Sequence, residues 1–139
     1  MTKFPGPSIP QRLLSGGFRL FFPGSALLAA VSIAIWVPWF LGFMHVPTLL
    51  PPVAWHQHEL LFGFVPAVIA GFLLTAVPNW TGRPGLKGIS LLALFLLWIA
   101  GRLTISFSEW TGMLGAALVA LSFLPVLAIF VLKELVAAS

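Results

Sequence analysis

Four apolar stretches, each close to the length of a bilayer crossing, constrain this chain more than anything else in it. They run from about Leu20 to Phe43, Val53 to Val77, Ile89 to Phe107 and Met113 to Leu132. A helix needs about 20 apolar residues to cross a hydrocarbon core of about 30 Å. Inside lipid every backbone amide must find a partner within its own segment, which leaves helices or a closed barrel. Barrel strands would read as alternating runs of about 10 residues, and the sequence has none. The expected fold is therefore all-α, an integral membrane four-helix bundle forming one domain over residues 1–139. Only 7% of the residues are charged, against about 25% in a soluble domain. That leaves too little polar surface to face water. The absence of cysteine excludes disulfides, thiolate metal sites and cysteine nucleophiles, and the absence of tyrosine excludes phenol chemistry.

The connectors fit these cuts. Pro51 and Pro52 suit the first turn of a helix, where no amide donor is missed. The stretch PNWTGRPGLKG (Pro78 to Gly88) reads as a turn-rich loop. The stretch SEWTG (Ser108 to Gly112) is short enough to make the last two helices an antiparallel hairpin. Lys3, Arg12 and Arg19 lie in the N-terminal region, Arg83 and Lys87 in the second loop, and Lys133 near the C-terminus. The first and third loops carry no Lys or Arg. The positive-inside rule then predicts an N-in/C-in topology. A net charge of +4 spread in this way reports topology and implies no nucleic-acid partner. The apolar run after the first basic residues continues to Phe43, too long for a signal-peptide core. Asn79-Trp80-Thr81 spells a glycosylation sequon, but this topology puts it in the cytoplasm, where it reads as a turn.

Chemistry concentrates in WHQHELLFGF, Trp55 to Phe64, which holds two of the three histidines and one of the three acids. On a regular helix His56, Glu59, Gly63, Ala67 and Gly71 share one face. Small residues along a membrane helix let a neighbour approach closely, and polar groups in lipid turn inward. Both arguments predict that this face is buried, with His56 beside Glu59 and His58 turned toward bulky apolar neighbours. His56 and His58 are the candidate metal or haem ligands, with His56 the favoured one. If the chain is instead extended at Trp55 to His58, the two imidazoles lie on one side and can chelate an ion together. His45 beside Met44 is a further copper candidate in the first loop.

Arg102 lies inside the third apolar segment, roughly 8 Å from its end at 1.5 Å per residue. Glu59 lies at a similar depth. A charge there costs a few kcal/mol unless it is paired or snorkels, so Glu59 and Arg102 are expected to form an ion pair. Arg102 is also a candidate for binding a cofactor carboxylate, since its planar fork suits that partner. Ser106 and Glu109 fall on the Arg102 face. Gly112, Ala116 and Ala120 make a small-residue stripe on the fourth helix. Arg19 and Trp80 read as interfacial anchors.

The stretch WHQHELLFGFVPAVIAGFLLTAVPNWTGRPG, Trp55 to Gly85, resembles the NnrS family of bacterial membrane proteins. So does SGGFRLFFPGSALLA, Ser15 to Ala29, and LLWIAGRL, Leu96 to Leu103, fits the block that follows. The resemblance implies a membrane protein containing haem and copper and linked to denitrification and the nitric-oxide response. It places the family motif on Trp55, His56, His58 and Glu59, with Asn79, Trp80 and Arg83 in the second loop. It also implies that the chain corresponds to the N-terminal portion of a longer pattern. Two other classes stay open on the residues alone. One is a small transporter or channel subunit that uses Glu59 and Arg102 as a coupling pair. The other is a non-catalytic membrane fragment that assembles with copies of itself or with a partner membrane subunit.

Overall fold

A computed structural model of the chain describes residues 8–138. Lys3, counted above among the topology signals, lies outside them. The described residues are helical apart from short connections. A short α1 (Ile9–Leu13) precedes α2 (Phe18–Phe40). Next comes a continuous rod with three parts: α3 (Pro52–His58), a π-helical segment (Glu59–Phe64) and α4 (Val65–Thr81). Then follow α5 (Gly88–Ser106), the single turn α6 (Ser108–Thr111) and α7 (Met113–Val136). Four rods are long and apolar enough to cross a membrane: 18–40, 52–81, 88–106 and 113–136.

The rod ends differ from the apolar stretches, because apolarity marks the lipid and caps mark the helix. The first rod stops at Phe40, and the chain turns at Gly42 with φ of 81°. The second rod runs past Val77 and through Pro78 to a left-handed Gly82, the usual glycine terminator of a helix. The last rod passes Leu132 and continues to Val136.

α2 packs chiefly on α4 and the π segment, α5 packs on α7, and α4 joins the two pairs through α7. Two close approaches set the spacing. A Cβ on Gly101 would stand 2.9 Å from the Cα of Ala120, so α5 and α7 nearly touch backbones there. A Cβ on Gly71 would stand 2.7 Å from the Phe22 ring on α2. Ala116 and Ala120 are buried, whereas Gly112 is exposed.

The interior divides into two apolar clusters. One holds Phe21, Ala67, Leu74, Leu94, Trp98 and Phe123 among others, and the second holds Trp39, Val46, Trp55, Ile105, Ala116 and Ala120. Large apolar side chains such as Leu27, Phe40, Leu96, Leu118 and Ile129 point outward on all sides. Such a surface suits acyl chains and not water. The fold is thus a multi-pass membrane bundle.

The end of the bundle that carries residues 41–51 and 107–112 is tied by a polar staple. Thr48 Oγ1 donates to the carbonyl of Ile105 at 2.8 Å and lies 3.0 Å from Ser108 Oγ. Leu49 N–H donates to Ser108 Oγ at 2.9 Å, and Glu109 N–H donates to the Pro47 carbonyl at 3.2 Å. Thr48 and Ser108 are buried, so the staple satisfies groups that would otherwise be costly. At the opposite end Arg83 donates from Nε to Glu134 at 3.0 Å and from Nη1 to the Ala137 carbonyl at 3.3 Å.

Candidate functional site

Glu59 and Arg102 occupy the seam between the two apolar clusters. Along the second rod Glu59 falls between Trp55 of one cluster and Ala67 of the other. Along α5 Arg102 falls between Ile105 and Trp98 in the same way. Arg102 Nη1 stands 3.5 Å from Glu59 Oε1, and their side chains are 8% and 1% exposed. Gly63 makes the room for this pair. A Cβ there would lie 2.6 Å from Arg102 Nη1 and 2.9 Å from Leu28 Cδ2.

The π segment explains how the site is shaped. Proline within a helix clashes with the carbonyl four residues back, and Pro66 sits just after this turn. Widening the turn relieves that clash: Val65 N–H reaches back to the Leu60 carbonyl, five residues away. A π turn also leaves carbonyls short of helical partners. The Gly63 carbonyl accepts a hydrogen bond from Trp98 Nε1 at 2.9 Å, which locks α5 to the second rod one turn from Arg102. Pro66 close behind Gly63 was the sequence signal for this distortion.

The two histidines are arranged opposite to the regular-helix expectation. His58, not His56, meets the carboxylate, with Nδ1 3.2 Å from Glu59 Oε1. Its ring stacks on Phe62, centroids 5.2 Å apart, and its side chain is 19% exposed. His56 stacks instead on Trp36 of α2 at 4.5 Å, and its Nδ1 is buried without a hydrogen-bond partner. A helical wheel orders Cβ directions only. The imidazole of His58 is long enough to reach the carboxylate on the next residue, and the flat indole of Trp36 draws the His56 ring to α2. The extended His-x-His chelate is also excluded, because Pro52–His58 is helical and His58 has φ −62° and ψ −46°.

The remaining expected residues are placed apart. His45 Nε2 pairs with Glu109 Oε1 at 3.1 Å on the surface. Glu109 therefore turns to the first loop and away from Arg102. Arg102 Nη1 pairs with Glu59, as the ion-pair expectation had it, while its Nε has no partner. Ser106 accepts a hydrogen bond from Trp55 Nε1 at 3.2 Å, a contact that the sequence did not suggest. Asn79 and Trp80 are exposed, and Arg83 serves the staple to Glu134.

The sequence profile of the NnrS family, described as NnrS protein, matches residues 12–139. The chain belongs to the NnrS family. No curated protein and no solved structure matches it. The haem and copper that the resemblance implied meet few donors in this chain. Among the described residues no group of three His, Asp or Glu side chains is gathered closely enough to hold a metal ion. His45, His56 and His58 have three different settings, so a copper site is not assembled. A single oriented imidazole is present. The Glu59 carboxylate holds His58 by Nδ1, the arrangement in which an outer carboxylate orients a ligating histidine and leaves Nε2 for the metal. The donor set offers one oriented imidazole that could ligate a haem iron and makes no closed copper site.

Proposed function

We propose that this chain supplies a haem ligand in an NnrS-type protein of the bacterial inner membrane that acts in the nitric-oxide response. The supporting observation is the contact between Glu59 and His58 Nδ1 at 3.2 Å. It supports a reading in which Nδ1 of His58 is held by Glu59 and Nε2 would be the ligating atom. Haem, when bound, supplies an iron that coordinates a small diatomic ligand. The chain's own part is to hold the imidazole. Arg102 neutralises Glu59 within the bilayer, Glu59 fixes the tautomer and tilt of His58, and the Phe62 ring limits its rotation. The His58 side chain is 19% exposed at the edge of the bundle, and a second membrane helix from a partner subunit or another copy would complete the site.

The optical spectrum of the purified protein in detergent tests this reading. A Soret band that shifts on reduction is expected. His58→Ala should remove it, and His45→Ala should leave it unchanged. A band that persists in His58→Ala but disappears in His56→Ala would move the ligand to His56. No band in the wild type would refute haem binding by this chain.

A further inference from the structure

Between α2 and α5, beside the Glu59–Arg102 pair, lies a cleft of about 370 Å³. That is within the range of small-molecule sites, about 300–1,000 Å³. Leu28 and Ser32 of α2 form one wall, and Ser106 of α5 and Trp55 form the other. Glu59 and Arg102 line it more deeply. Residues 44–47 form a roof, held down by the Thr48–Ser108 staple. The cleft is therefore closed toward the loops. Exposed Val31 and Leu103 border it, so its mouth faces the acyl chains.

Its surface is almost wholly apolar but contains one unused hydrogen-bond donor. The Ser106 hydroxyl accepts from Trp55 Nε1, and its own hydrogen has no acceptor among the described residues. Arg102 Nε also lacks a partner, but it is buried beneath the cleft surface. Ser32, by contrast, is satisfied by the Ala29 carbonyl. The charges of Glu59 and Arg102 already cancel. A carboxylate or phosphate entering here would add an uncompensated buried charge, which is strongly disfavoured. What fits is a neutral, apolar molecule with an accepting oxygen and a tail that can leave sideways into lipid.

We propose that this cleft binds a membrane quinone, with a ring carbonyl accepting from the Ser106 hydroxyl and the tail leaving between Val31 and Leu103. This site is separate from His58, which is not among the residues lining the cleft, and the inference does not depend on haem being bound.

The test uses the full chain in lipid nanodiscs, titrated with a short-tailed benzoquinone and followed by quenching of tryptophan fluorescence. Saturable quenching is expected. Ser106→Ala should weaken it about tenfold, the scale of one lost hydrogen bond, and Ser106→Thr should keep it. Leu103→Trp, a change at the exposed mouth that spares the interior, should abolish the saturable phase. Absence of a saturable phase would overturn the proposal, as would an unchanged affinity in Leu103→Trp. Equal displacement by a saturated fatty acid or by added phospholipid would also overturn it, since the cleft would then be a slot for acyl chains.

Discussion

Removing one charge of the Glu59–Arg102 pair is the sharpest perturbation the structure offers. The nearest atoms are 3.5 Å apart and nearly inaccessible. Two unit charges at that separation attract by about 5 kcal/mol at an effective dielectric constant near 20. The attraction expressed in a mutant cycle is smaller. The charges are spread over two oxygens and three nitrogens, and Glu59 Oε1 is shared with His58. Glu59→Gln and Arg102→Gln should each destabilise the bundle by about 3–5 kcal/mol, because each leaves a buried partner uncompensated. The double variant should recover about 2–3 kcal/mol of the summed loss. Reversible unfolding in mixed micelles, with denaturing detergent titrated against far-ultraviolet circular dichroism, measures all four corners of the cycle. Additivity within about 0.5 kcal/mol would refute the reasoning and show that Arg102 draws its stabilisation from another partner.

Three more outcomes follow from single positions. Gly63→Ala should cost about 1–3 kcal/mol as overpacking, since its methyl would press on Arg102 Nη1 and Leu28. In an Arg102→Gln background most of that cost should vanish, as the same titration would reveal. Gly101→Ala should cost at least as much, because the new methyl meets the Ala120 backbone, which cannot rotate away. Thermal unfolding in detergent would show it as a lowered midpoint that Arg102→Gln does not relieve. For the topology, an impermeant thiol reagent should label Pro84→Cys only from the cytoplasm and Phe43→Cys only from outside, against a background without cysteine. The reverse pattern would invert the orientation.

Much of this architecture is legible in the residues because lipid makes simple demands. A crossing needs a certain length, backbone groups must be satisfied locally, and a charge at depth must find a partner. Those demands act on each segment by itself. Four rods, small residues at tight contacts, and the depths of Glu59 and Arg102 could therefore be read before any packing was known. The site is less legible, because its details arise between segments. Whether Glu59 meets His56 or His58 depends on where Trp36 stands on another helix and on the π turn that Pro66 induces. The Thr48–Ser108 staple and the Ser106–Trp55 contact join residues more than 50 positions apart, and no periodicity encodes them. The cleft beneath the first loop is a further step removed. It exists because α2 and α5 lie close at Phe21, Phe95 and Trp98 and are bridged by residues 44–47 where the cleft opens. A single chain carries the length, polarity and backbone preference of each rod, and these suffice to place the rods in a membrane. Only their mutual packing decides which buried polar atoms meet and which keep a free hydrogen bond.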